Sequence, residues 1–234
     1  VTARSNRPFV KVYEEERELT VMLAVDASGS GQFGSGEKFK AEIAAEICAL
    51  LAFSAIKNND KVGLLIFTDD IEKYIPPAKG KSHVLRVIRE ILYFKPKSKK
   101  TNIKNGLEYL LRGLKRHTIV FLVSDFDDSG FMKPLKILNK KHDVVAVQTY
   151  DQREMSLPNA GLMKIRDAET DEEIWVDTTN KKFRENYTSY MRDKFQKFQA
   201  EIKRINLDHV LINVSESYIE PLIKFFKQRE MRIR

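Results

Sequence analysis

Residues 21–30 read VMLAVDASGS. Val21 to Val25 are five consecutive apolar residues, bounded by charged sequence before and a Gly/Ser-rich turn after. That pattern predicts a strand buried on both faces. Such a strand ending in Asp26 places a carboxylate at the carboxyl edge of a sheet, and in open α/β sheets ligands sit in the crevice outside that edge. Asp26-x-Ser28-x-Ser30 offers three oxygen side chains within one turn. Hard divalent cations bind through oxygen, so metal ligation is one reading of the loop. The other is helix capping, since Asp and Ser are the preferred N-cap residues.

Working outward, Glu37 to about Asn58 repeats apolar residues at helical spacing (Phe39, Ile43, Ile47, Leu50, Leu51) with alanines between them, which predicts a largely buried helix. Lys61 to Thr68 (KVGLLIFT) is a second buried strand. Asp69-Asp70 then leads into an edge strand from Ile71, expected to end at Pro76-Pro77. Helices follow from about Ser82 to Phe94 and from Thr101, whose position suits an N-cap. His117 to Val123 is another buried strand, running into Ser124-Asp125-Phe126-Asp127-Asp128, so a second strand finishes on an aspartate.

A short helix near Lys133 to Lys140 and a strand at Asp143 to Tyr150 come next. Leu162 to Ile165 and Glu173 to Val176 flank the polar turn Asp167 to Asp171 and form a hairpin carrying Trp175. From Lys181 to Ile205 a long helix sets Phe183, Tyr187, Met191, Phe195, Phe198, Ile202 and Ile205 along one face, a stripe expected to pack in the core. Asp208 to Val214 and Tyr218 to Arg229 supply the last strand and helix. Strands and helices alternate, which predicts an α/β fold: three layers, doubly wound around a mostly parallel sheet, with a β-hairpin insertion. Residues 1–18 form a lead-in with a short strand at Phe9, Val10, Val12 and Tyr13, expected to close a missing upstream region, and 19–234 form the domain.

Composition narrows the function. A single cysteine, Cys48, rules out a disulfide within the chain and fits a reducing, cytoplasmic setting. No apolar run approaches the roughly 18 residues of a membrane span. The net charge of +8 is spread over loops and helix faces, and the densest basic stretches, Lys95 to Lys104 and the tail from Lys224 to Arg234, lack the interleaved aromatics of a base-stacking surface. No nucleic-acid partner is expected; the basic loop suits an acidic protein. Gly31 and Gly36 have the spacing of a phosphate-binding loop, but Glu37 stands where its lysine belongs. His83, His117, His142 and His209 form no close-spaced metal or triad pattern.

Asp26-x-Ser28-x-Ser30, Thr101 opening a helix and Asp125 ending a later strand together resemble the metal-ion-dependent adhesion site of von Willebrand factor A domains. The resemblance implies a Rossmann-like fold and a divalent cation, usually Mg²⁺ with Mn²⁺ or Ca²⁺ as alternatives, held by Asp26, Ser28, Ser30, Thr101 and Asp125. ARSNRPFVKVYEEERE, NDKVGLLIFTDDIEKYIPP and LIKFFKQR resemble one bacterial branch of these domains, a family of unknown function associated with MoxR-type AAA+ ATPases. Gly31 departs from that branch, which usually has methionine there.

What the resemblance implies is a non-enzymatic, metal-dependent protein-interaction module, whose partner supplies an acidic residue to the cation and is a MoxR-type ATPase active in complex assembly or remodelling. The competing expectation is a Mg-dependent phosphatase of haloacid-dehalogenase-like type, with Asp26 as nucleophile and Asp125 with Asp127 or Asp128 on the metal. That chemistry wants a second aspartate as general acid or base at the position of Ser28, and a serine hydroxyl is a poor proton donor at neutral pH.

Overall fold

All five apolar residues of the opening strand are buried, inside β1 (Thr20–Asp26). The computed structural model describes residues 18–34 and 38–233. The strand expected at Phe9 to Tyr13, and with it the lead-in apart from Glu18, lies outside them. β1 pairs in parallel with β2 (Lys61–Phe67) on one side and β4 (Ile119–Ser124) on the other. β3 (Ile71–Ala78) adds to β2 antiparallel, while β5 (Asp143–Tyr150) and β8 (Asp208–Asn213) extend the parallel sheet beyond β4. The order is β3-β2-β1-β4-β5-β8.

Side chains alternate between the two faces, as the pleat requires. Leu23, Leu64, Phe121 and Val145 face α1 (Lys40–Lys57), α2 (Lys81–Leu92) and α6 (Ile219–Ile233). Met22, Ala24, Leu65, Leu122 and Ala146 face α3 (Ile103–Gly113), α4 (Met132–Lys141) and α5 (Lys181–Arg204). The result is the three-layer, doubly wound α/β arrangement expected from the sequence, mostly parallel with β3 antiparallel at one edge. Fully buried side chains such as Ile47, Leu64, Leu107 and Leu122 each contribute about 1.5–3 kcal/mol. Cys48 is part of this core, and burial pushes its thiol up to about 12.

Connections from β1 run through α1 to β2 on one side, and those from β4 through α4 to β5 on the other. The chain therefore changes direction between β1 and β4, and the crevice above that point receives both Asp26 and Asp125. β6 (Leu162–Arg166) and β7 (Glu173–Asp177) form the expected hairpin as a separate two-stranded sheet.

Three local expectations are corrected. β3 continues through Pro76 and Pro77 to Ala78; at a sheet edge their missing N–H groups can face solvent, and the ladder shifts register beside them, between Val62 and Leu64. Asn102, not Thr101, caps α3, its side chain accepting from Asn105 N at 2.9 Å. The aromatic stripe of α5 is only partly core: Ile202 is buried and Phe198 stacks on Phe126 at 4.8 Å, while Phe183 is 40% exposed. The reason is length. At 1.5 Å per residue, a 24-residue helix spans about 36 Å, longer than strands of six to eight residues, so its first half reaches past the sheet edge. There Tyr187, Met191 and Phe195 line a 260 Å³ cavity with Lys40, Asp125 and Glu154.

Candidate functional site

Asp26 closes β1, and both of its carboxylate oxygens are engaged at the sheet edge. Ser28 N donates to Oδ1 at 3.0 Å, and the hydroxyl of Ser124, the last residue of β4, donates to Oδ2 at 2.8 Å. The loop turns back so that the Ser28 and Ser30 hydroxyls lie 3.1 Å apart. Across the crevice Asp125 is presented by a tight turn in which Phe126 takes φ of 60° and donates its N–H to Ser124 Oγ at 2.9 Å. A left-handed backbone at a bulky, buried residue costs about 1–2 kcal/mol. Here it is held by stacking of Phe126 on Phe198 and by Gln148, which donates to Asp125 O at 3.4 Å. Such strain concentrates where side chains are positioned for function.

Asp26, Ser28, Ser30 and Asp125 line one small cavity with Gly31, Lys40, Ser124 and Thr149. Its volume of 20 Å³ exceeds the roughly 10–15 Å³ that one water-sized particle requires. Four of the five residues anticipated as metal ligands therefore converge. Thr101 lies apart from that lining, and its hydroxyl donates to Glu169 Oε1 at 2.5 Å.

The electrostatics are asymmetric. Lys40, from the first turn of α1, is buried with its Nζ 2.9 Å from Asp125 Oδ2 and 2.6 Å from Glu154 Oε1. Burial alone would raise the Asp125 carboxyl, but the Lys40 ammonium outweighs it and holds the group below its usual range. Burial opposes the charge on Lys40, and Asp125 and Glu154 more than restore it. Asp26 is in no ion pair among the described residues, although Lys40 lines the same cavity. Burial first, and the charge of Asp125 second, push its carboxyl from 3.8 to about 6 against the hydrogen bonds from Ser28 and Ser124. A cation in the cavity would relieve that repulsion. An all-oxygen donor set of two carboxylates and hydroxyls suits a hard ion such as Mg²⁺. Among the described residues no cluster of three or more His, Cys, Asp or Glu side chains could hold a metal, so the hydroxyls are essential to this reading.

The hairpin closes over the loop. A Cβ on Gly29 would come within 2.1 Å of Ala168 O, so only glycine permits the turn to seat there. Gly29 N donates to Lys99 O at 2.7 Å, and Lys99 Nζ reaches Asp171 at 2.7 Å, joining the basic loop to both neighbours. Asp127 pairs with Lys194, and Asp128 accepts from Ile103 N at 2.8 Å at the start of α3. Neither lines the cavity that holds Asp26 and Asp125, so the further carboxylate a phosphatase would place on its metal beside Asp125 is employed elsewhere.

Sequence reasoning missed Lys40, Ser124, Glu154 and Glu169. Ser124 had a signal, as a hydroxyl ending a buried strand one residue before Asp125. Lys40 had none, because a lysine at a helix start reads as a solvated surface residue.

Over residues 1–197 the chain matches the family described as "Protein of unknown function DUF58", and it belongs to that family. It is 28% identical over 173 residues to the uncharacterized protein Rv1480 of Mycobacterium tuberculosis, a match covering 73% of this chain and 55% of that protein. The same figures hold for the uncharacterized protein Mb1516 of Mycobacterium bovis. The chain thus spans about half the length of these relatives. Among solved structures it is similar to an aerotolerance-related membrane protein from Bacteroides fragilis, with a TM-score of 0.58 at 17% identity over 90% of this chain and 99% of that one. It is also similar to the conserved hypothetical protein BatB from Bacteroides thetaiotaomicron, with a TM-score of 0.55 at 15% identity over 92% and 100%. At these identities the likeness is one of fold. No helix among the described residues is long and apolar enough to cross a membrane.

Proposed function

We propose that this member of the DUF58 family is a protein-interaction module whose partner contact is made through a divalent cation at the β1–β4 crevice. The observation that carries the reading is the convergence of Asp26, Ser28, Ser30 and Asp125 on one ion-sized cavity, where Lys40 pairs with Asp125 and Asp26 is in no ion pair among the described residues. Asp26, Ser28, Ser30, Thr101 and Asp125 would hold Mg²⁺, Mn²⁺ or Ca²⁺, some of them through water. When bound, the cation supplies a Lewis-acidic position for a carboxylate oxygen of the partner.

This chain's own residues build and tune that position. Ser124 and the Ser28 N–H orient Asp26; Lys40 fixes Asp125 and moderates the charge of the pair; Gln148 and the strained Phe126 hold the Asp125 turn. The partner proposed is a MoxR-type AAA+ ATPase, on the resemblance of the sequence to the MoxR-associated branch, with ATP hydrolysis belonging to the ATPase. Exposed lysines of the 95–104 loop would steer an acidic partner toward the crevice.

The test is the affinity of the purified chain for the MoxR-type ATPase of its own organism, measured in Mg²⁺ and in EDTA. Binding that needs Mg²⁺ and is lost in Asp26→Ala is expected. Affinity unchanged by EDTA would refute the metal-bridged contact, and loss with salt alone would leave only screening of the basic loop.

A further inference from the structure

Thr101, one of the five residues assigned to the cation, gives its hydroxyl to a carboxylate of the same chain. Glu169 sits at the tip of the β6–β7 hairpin, and the tip is built to stay there. Asp167 Oδ1 accepts from Glu169 N at 2.9 Å and Thr170 N at 2.8 Å, shaping the turn. Asp171 pairs with Lys99 and with Arg166, tying the turn to the loop that carries Thr101. Gly29 lets Ala168 O seat directly against the Asp26 loop. Glu169 then lines a 550 Å³ cavity whose wall also contains Ser30 and Asp125, so the two elements meet across one space.

From this juxtaposition we propose that Glu169 is the chain's own acidic ligand at the crevice, filling the position that a partner carboxylate takes on docking. The inference rests on the reading of Asp26, Ser28, Ser30, Thr101 and Asp125 as a cation site. In the unpartnered protein the hairpin tip is then a tethered occupant, and a partner acid must displace Glu169 from Thr101 and from the cation. The carboxylate requirement follows from the donor set. Thr101 offers a hydroxyl proton and a hard cation offers a positive charge, and one carboxylate satisfies both through its two oxygens.

The experiment is calorimetric titration of Mg²⁺ alone into the parent chain, Asp26→Ala, Glu169→Gln and Glu172→Gln. Glu172 lines the same cavity, and its substitution removes equal charge without touching Thr101. Loss of an outer partner of a metal site already weakens affinity by about 10–100-fold. Glu169→Gln is therefore expected to bind Mg²⁺ at least about tenfold more weakly than the parent, with Glu172→Gln within a few-fold of it. Equal affinity in Glu169→Gln and the parent overturns the proposal, as does an equal loss in both Gln variants, which would mean a general field rather than ligation. Absence of binding in the parent, or undiminished binding in Asp26→Ala, refutes the cation site itself and the role of Glu169 with it.

Discussion

Replacing Asp26 with asparagine should make the metal-free protein more stable at neutral pH, although the substitution destroys a proposed ligand. Burial and the charge of Asp125 raise the Asp26 carboxyl from 3.8 to about 6. A group whose pKa is higher in the folded than in the unfolded chain stabilises fully below the unfolded value, and that contribution is lost as pH rises through the folded one. The window here runs from about pH 4 to pH 6, and the rise from 3.8 to about 6, at roughly 1.36 kcal/mol per pKa unit, amounts to about 3 kcal/mol. Asparagine carries no charge to bury. Its Oδ1 can still accept from Ser28 N, and its amide can donate to Ser124 Oγ, so the local hydrogen bonds are largely kept.

The assay is urea unfolding of both proteins in EDTA at a series of pH values, because titrations common to the two cancel in the difference. Asp26→Asn is expected to add about 3 kcal/mol near pH 7.5 and close to nothing near pH 4. At about 2–4 °C per kcal/mol for a chain of this size, that is a rise in melting temperature on the order of 6–12 °C. A variant no more stable than the parent at pH 7.5, or a difference that does not change between pH 4 and 7.5, would refute the account of Asp26 as an uncompensated carboxylate.

In the opposite sense, Lys40→Met should lower stability by about 3–5 kcal/mol, because it strands Asp125 and Glu154 beside a buried apolar chain. Adding Asp125→Asn should recover part of that loss in a double-mutant cycle, and strictly additive effects would show that the ion pair is not coupled. Mg²⁺ at about 100 times its dissociation constant should stabilise the parent by about 2.7 kcal/mol and leave Asp26→Ala unmoved; an equal shift in both would mean that Asp26 is not the anchoring ligand. Gly29→Ala drives a methyl group to 2.1 Å from Ala168 O, so the hairpin must lift. Amide exchange over residues 162–177 should quicken, and unchanged exchange would show that the tip is not seated on that loop.

The sequence alone determined the sheet and the placing of two carboxylates at its edge. Val21 to Val25, Lys61 to Thr68 and Asp143 to Tyr150 are strands long and apolar enough that only a sheet covered on both faces can bury them. Asp26 and Asp125 follow such strands directly, so their meeting at one edge was legible once the strands were parallel. Only the tertiary structure decided how their charges are balanced. Lys40 lies 85 residues from Asp125 and 114 from Glu154, and no local pattern distinguishes a lysine that will be buried at a helix start from one that will face water. The same holds for Glu169, which is 68 residues from Thr101. Turn chemistry at Asp167 to Asp171 announces a hairpin, but where the tip lands depends on the packing of Ala168 against Gly29, a contact between segments that share no sequence periodicity. Periodicity reports which face of an element is apolar. It carries no information about which distant polar groups will converge, because that depends on the crossing of elements in space and on the few positions, such as Gly29, where a missing side chain lets them touch.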